Sequence, residues 1–233
     1  MTAMCLILTR ALVPYDLAAK WEADGRPGFG DPYAVHQRAW ECFPGRPRAD
    51  RDFLTRTDPK DEHLQVLLLS AIEPARPSWC PEDRWQSKRI DDGFFAHPRY
   101  RFSLLANPTR KVRSNAKGEI LKNSRRVPIT HREDREDAHG RRQRGLVSWL
   151  AEHGEAAGFS IDPSNLRTVT RPRHTFVRPP KDGTPRHSGT LHAVDFQGLL
   201  AVDDGEKLRA AFALGIGPAK AFGFGMLCLA PSP

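Results

Sequence analysis

The chain has 233 residues, 39% of them hydrophobic, with five Trp, twelve Phe and a formal charge of +8; that is enough for one large or two small folded domains and excludes a disordered polymer. No stretch approaches the ~20 consecutive apolar residues that span a bilayer, and the N-terminus shows no basic, apolar and small-residue leader, so no membrane association is expected and the cytoplasm is the expected compartment. A pI near 9.6 favours a polyanionic partner, nucleic acid ahead of an acidic membrane surface.

In chain order, residues 3–12 (AMCLILTRAL) predict a short apolar strand, and the Gly- and Pro-rich GRPGFGDP predicts a loop. Asp31 suits an N-cap and Pro32 the first helical position; Val35, Ala39 and Phe43 then recur at helical spacing until Pro44-Gly45 stops the helix. Residues 51–57 and 63–72 predict a strand pair, with a short second helix near 81–89. A second unit begins with a strand at 99–107, passes through a basic loop at 110–126 and reaches a helix at 141–157 containing Leu146, Trp149 and Leu150. The extended runs 166–178 and 187–202 flank RPPKDGTPR, whose Pro and Asp-Gly content is turn chemistry, and so predict a hairpin. A helix at 203–214 and a strand at 224–229 close the chain. Each half reads approximately as βαββαβ, giving an α+β fold of two tandem ferredoxin-like (RRM-like) domains, residues 1–97 and 98–233. The dense alternating charges of 131–144 mark a solvated insertion.

Cys5, Cys42, Cys80 and Cys228 form no CxxC pair and no zinc-type spacing, so all four are expected as reduced thiols in the core. The histidines beyond His36 form no recognisable metal set, and neither a metal nor another cofactor is expected. The cations are unevenly spread. Arg110, Lys111, Arg113, Lys117, Lys122, Arg125 and Arg126 crowd 110–126 against the single acid Glu119, a basic loop and not an amphipathic membrane helix. Arg167, Arg171, Arg173, Arg178, Lys181 and Arg186 face only Asp182 over 165–190, where a β-hairpin is narrow enough to enter a groove or flank a stem. For any one of these cations, a solvated charged turn is the competing reading.

The segment GIGPAKAFGFG places Gly215, Gly217, Gly223, Gly225 and Lys220 between a predicted helix and the last strand. It is no dinucleotide fingerprint, because Lys220 stands where a glycine is needed, and no P-loop, which needs Gly-Lys-Ser/Thr. A C-cap and a tight turn explain one or two glycines. Four in eleven residues let a nucleic-acid backbone approach main-chain N–H donors, with Lys220 as a point charge for a phosphate. Tyr33 and His36, three apart on the helix begun at Pro32, share a face in its early turns, where the dipole favours anions. Packing or capping is the ordinary role of such a pair.

A helix followed by GIGPAKAFGFGMLCLAP resembles the signature glycine-rich loop of the repeat-associated CRISPR RNA-binding superfamily. DPYAVHQRAWECFPGRP resembles the CasE-type helix that carries a Tyr and a His three residues apart; RFSLLANPTRKV, the later Lys-Gly and RRVPI resemble that family's central strand and basic loop. The likeness, to the CasE-type guide-RNA processing subunits of type I-E CRISPR systems, runs in order over nearly the whole chain. It implies two ferredoxin-like domains, binding of a CRISPR repeat RNA hairpin, and metal-independent cleavage of precursor RNA on the 3′ side of the stem. It also implies retention of the product and assembly with the other subunits of Cascade. The matching positions place the chemistry on His36, as general acid or base, and on Tyr33, orienting the nucleophile or stabilising charge. Attack by the 2′-hydroxyl would leave a 2′,3′-cyclic phosphate and a 5′-hydroxyl. The repeat stem falls to the later hairpin, with Arg178 and Lys181 preferred and Arg173 beside them. Two stretches depart from the family pattern: PYDLAAKWEADGRPGFG, which lengthens the connection ahead of the His36 helix, and 131–144. The alternative is a subunit that grips the repeat without cutting it, which would have little reason to keep Tyr33 and His36 together.

Overall fold

The computed structural model describes residues 5–24, 29, 32–46, 52–114, 120–138, 140–178 and 187–233. Strand β1 (Leu6–Pro14) runs straight into helix α1 (Tyr15–Ala23), which occupies the stretch read from the sequence as a mere connection. Helix α2 (Pro32–Trp40) follows, then the hairpin β2 (Phe53–Pro59) and β3 (His63–Ser70). Asp31, the expected N-cap, lies outside the described residues. The helix expected near 81–89 is corrected: a single 3-10 turn at Glu82–Arg84 passes into strand β4 (Trp85–Ile90). No apolar stripe recurs at helical spacing between Trp85 and Ile90, and the free edge of β1 takes up the backbone groups, with Ala11 opposite Trp85 and Leu6 opposite Ile90. The first sheet is antiparallel in the order β2-β3-β1-β4.

The second half opens with β5 (Arg99–Ala106). The expected basic loop is instead largely a hairpin, β6 (Thr109–Ser114) and β7 (Ile120–Pro128), with Lys111 opposite Arg126 and Val112 opposite Arg125. Ladder pairing satisfies backbone groups that a long open loop would leave to solvent. Within 131–144 the short strands β8 (Arg135–Glu136) and β9 (Arg142–Gln143) pair. Asp134 holds this exposed region to the fold. Its carboxylate accepts from the Gly145 N–H at 2.7 Å and also meets Ser148 and Arg142, which bring its pKa down to about 2. Helix α3 (Leu146–Ala156) therefore starts later than predicted.

Strands β10 (Phe159–Ile161), β11 (Arg167–Thr170), β12 (His174–Arg178), β13 (His187–Leu191) and β14 (Val194–Val202) follow. The two long extended runs are split: β12 pairs with β13 as the predicted hairpin, whereas β11 pairs with β14. Helix α4 (Gly205–Leu214), capped by the Asp204 carboxylate accepting from the Lys207 N–H, and β15 (Leu227–Pro231) complete the chain. The second sheet reads β10-β14-β5-β15.

One core lies under α3, where Trp149 and Leu150 meet Tyr100, Phe102 and Phe196 of the sheet. Another lies under α1 and α2, with Trp40, Phe43, Phe53 and Trp79. A third joins the halves, setting Leu6, Leu54 and Leu69 of the first sheet, with Phe95 from the segment before β5, against Phe212 and Met226 of the second half. All four cysteines are free thiols; Cys42 and Cys80 are buried, but Cys5 is exposed, which corrects the expectation that all are core residues. Among the described residues no helix is long and apolar enough to cross a membrane.

Candidate active site

The site begins with how α2 is held. Its buried face carries Val35, Ala39 and Trp40. Arg38 is buried too, its guanidinium 2.8 Å from Glu41 and stacked 4.5 Å over the Trp21 ring of α1, so α1 braces α2 from behind. Tyr33 and His36 lie half-buried. The indole Nε1–H of Trp40, one turn on, donates to His36 Nε2 at 3.1 Å. An indole N–H only donates, so the nitrogen it meets carries no proton and the His36 ring is neutral in this state. Phe53 of β2 stacks on the imidazole at 6.3 Å and meets Trp40 edge-on at 4.9 Å, which fixes the ring plane.

Helix α2 faces two elements of the second half: β12 and the 3-10 turn Lys220–Phe222 inside the glycine-rich segment. All four glycines of that segment have positive φ, as does Ala219. At Gly225 the reason is close packing, because a Cβ would sit 2.6 Å from the Ile216 carbonyl, which belongs to a residue whose own N–H donates to Gly225 O at 2.8 Å. Gly217 presses against the Trp149 ring, and Gly215 against Leu54. Gly223 differs: a Cβ there would meet nothing nearer than 3.8 Å, and it lines an open cleft.

That cleft has a cavity of about 260 Å³ between β2, α2, the start of β12 and the glycine-rich segment. At its back stands a buried charge cluster that ties the halves together. Arg56 donates to Asp58 at 2.7 Å and lies 3.7 Å from Asp195, while Arg171 donates to Asp58 at 3.1 Å and to Asp195 at 2.6 Å. Burial raises the cost of charge on Asp58, but the hydrogen bonds and charges of Arg56 and Arg171 outweigh it and hold the carboxyl below its ordinary range. His174 lines the same cleft; its burial, then the nearby Arg171 charge, keep its pKa below the ordinary histidine value.

The CRISPR associated protein family matches residues 12–231 of this chain. The chain belongs to that family. The Cascade subunit CasE of Escherichia coli K12 is 30% identical over 203 residues, 86% of this chain and 92% of that protein. The CRISPR-associated endoribonuclease Cse3 of Thermus thermophilus is 28% identical over 220 residues, 88% and 93% of the two. The structure of Thermus thermophilus Cse3 bound to an RNA representing a pre-cleavage complex matches 97% of this chain and 99% of that one, with a TM-score of 0.64 at 24% identity. The shared fold is mixed α/β, with antiparallel sheets and few helices.

In this CRISPR-associated chain the expected site residues fall into three groups. Tyr33 and His36 sit on one helix beside the cleft. Lys220, Gly215, Gly217, Gly223 and Gly225 are in the segment facing that helix, with Lys220 half-buried. The cations ride on two hairpins: Lys111, Arg125 and Arg126 are exposed and Arg110 half-buried on β6-β7, while Arg173 is exposed just before β12. Arg113 and Arg178 lie on β6 and β12, but their side chains, like Lys117 and Lys181 altogether, lie outside the described residues. Both hairpins leave the second sheet at one end, where Ala106 of β5 pairs with Val194 of β14. The backbone N–H of His192, at the foot of β13, donates there to Asn107 Oδ1 at 3.2 Å.

Sequence reasoning missed Trp40 and His174 as site residues and read Arg171 only as one of the hairpin cations. Trp40 carried a readable signal, lying one turn after His36 on a predicted helix. His174 carried none, and nothing local put Arg171 in the cleft, because only strand register brings both there.

Proposed function

We propose that this chain is a metal-independent endoribonuclease that cuts CRISPR precursor RNA on the 3′ side of the repeat stem and keeps its product within a Cascade-type complex in the cytoplasm. One observation carries the reading: the Tyr33–His36 helix faces the glycine-rich segment beside two basic hairpins, in a chain 28% identical over most of its length to an endoribonuclease and 30% identical to a Cascade subunit. We propose also that residues 1–97 and 98–233 are two ferredoxin-like domains. Both sheets support this, since β2-β3-β1-β4 and β10-β14-β5-β15 have the same 2-3-1-4 strand order within their halves.

The chemistry follows from the residues. The RNA backbone lies across the positive end of the second sheet, with the scissile phosphate at the early turns of α2. A base takes the proton of the 2′-hydroxyl, the 2′-oxygen attacks phosphorus, and an acid gives a proton to the departing 5′-oxygen. The products are a 2′,3′-cyclic phosphate and a 5′-hydroxyl. His36 supplies one of the two proton transfers and the Tyr33 hydroxyl orients the nucleophile or offsets charge on the phosphorane. Either role for His36 Nε2 requires it to part from the Trp40 indole.

The test is cleavage of a labelled repeat hairpin in EDTA by the wild type, by His36→Ala, and on a substrate with 2′-deoxyribose at the cut. Cutting by the wild type alone, with binding kept in all three, is expected. Tight binding without any cutting by the wild type would make the chain an RNA-gripping subunit instead, and loss of cutting in EDTA alone would overturn the metal-independent route.

A further inference from the structure

We infer that the cavity between β2, α2 and the glycine-rich segment is a pocket for one unpaired nucleobase of the RNA, next to the phosphate that α2 would address. The inference rests on the endoribonuclease reading and adds to it a site for sequence choice. The cavity measures about 260 Å³, just under the ~300–1,000 Å³ of drug-sized ligand sites, which suits a single base-sized ring system.

Its walls are those of a base site and not of a phosphate site. Phe222 and Phe224 from the glycine-rich segment and Val35 from α2 supply apolar and aromatic surface. Phe222 is backed by Phe176 of β12 in a stacked pair at 4.4 Å, and Phe224 meets the His174 ring edge-on at 6.0 Å, so the rings are already oriented. Bases of any identity stack on such faces and on the plane of an arginine. The Arg171 charge is already answered by Asp58 and Asp195, at 3.1 and 2.6 Å, leaving a flat guanidinium edge and little net attraction for an anion. Thr57 and His174 also line the cavity and bring a hydroxyl and an imidazole that would read a base edge. Burial and Arg171 favour the neutral imidazole, which offers one donor and one acceptor. Gly223 stands between the two phenylalanines with φ +82° and no atom within 3.8 Å of where a Cβ would be, so no side chain closes the mouth from that strand of the loop.

The site lies on the helix that carries Tyr33 and His36, with Val35 between them in sequence. A base drawn into the cavity would therefore belong to a nucleotide flanking the cut. Such a nucleotide must be unpaired, and taking it out of the stack would help turn its 2′-hydroxyl or its phosphate toward the helix.

The experiment places 2-aminopurine singly at each nucleotide flanking the cut, in a hairpin made uncleavable by 2′-deoxyribose at the scissile position, and reads fluorescence on binding. One position is expected to be quenched by the wild type and released in both Phe222→Ala, which removes one wall, and Thr57→Trp, which fills the cavity from β2. An abasic substitution at that position should weaken wild-type binding by about tenfold to a hundredfold, the range of one base–aromatic stack, and weaken Phe222→Ala binding far less. If the hairpin binds but no position is quenched, or the quench survives both variants, the pocket is not a base site. Cutting of the unblocked hairpin, measured alongside, judges the endoribonuclease reading separately. Thermal melting shows that each variant folds, and Phe222→Ala decides alone if Thr57→Trp does not.

Discussion

The two halves share a strand order but part company after their third strand. In the second half α4 crosses from β14 to β15 as a full helix, whereas in the first the chain from β3 to β4 makes only a 3-10 turn, and Trp79 on that connection is buried in the core under α1 and α2. The missing helix is answered by the partner half. Phe212 of α4 packs on Leu54 and Leu69 of the first sheet, so one helix covers a face of each half. The difference teaches that, under the function proposed above, neither half would be a complete catalytic unit. The first half brings Tyr33 and His36; the second brings the charge, the glycine-rich segment and the rear wall of the cleft.

Five substitutions break or sharpen that division of labour. The largest effect should come from the first half's chemistry: His36→Ala is expected to slow cleavage by about 10²–10⁴-fold while leaving hairpin affinity nearly unchanged, measured by single-turnover kinetics beside a binding titration. Next is the bolt between the halves. Asp58→Ala leaves Arg56 and Arg171 buried with fewer partners and should cost about 3–5 kcal/mol in urea unfolding. The pH dependence has a definite sign. The Asp58 carboxyl is held below its ordinary 3.8, so its stabilisation is complete above that value and drains away as pH falls below it. Urea midpoints of the wild type should therefore drop toward pH ~3, and those of Asp58→Ala should drop less.

Trp40→Phe tests the support of the reacting ring and should act more mildly. It keeps the aromatic contact with Phe53 but removes a donor that favours the neutral imidazole, so the limb of the pH–rate profile that reports His36 should move to higher pH, with a rate change of about fivefold. In the kcat/KM profile, which reports the free enzyme, a fixed limb would mean that the Trp40 bond does not hold His36 there. The smallest effect belongs to the charge of the second half. Lys111→Gln or Arg126→Gln should weaken hairpin binding alike for different stem sequences and lower the slope of log affinity against log salt by about one each. A sequence-dependent loss would instead assign that residue to a base edge.

Much of the proposed site was legible without a structure. Tyr33 and His36 three apart after a Pro at the first helical position, and the later glycine-rich segment, point to the site, because helical spacing and glycine's tolerance of positive φ are local properties. Helix α1 was not legible, since Ala18 is its only buried residue and the stripe is too weak to stand out from its polar face. The strand β4 was misread as a helix for a related reason: it is an exposed edge strand, settled by the free side of β1 and not by its own pattern. The basic stretch 110–126 was read as a loop from its charge and its hairpin was not foreseen, because charge composition says nothing of backbone pairing.

The sequence by itself determined the elements whose signals are local: helix α2, the β5 strand, α4, and the concentration of cations on two segments. Tertiary structure alone decided that Arg56, Asp58, Arg171 and Asp195 close into one buried cluster, that His174 reaches the cleft, and that the Trp40 indole meets His36. Arg171, read from the sequence among the cations for RNA, also braces Asp58 and Asp195. Ion pairs between residues far apart in sequence depend on register and on the docking of two sheets, where a shift of one residue turns a side chain to the opposite face, and no local propensity encodes that choice.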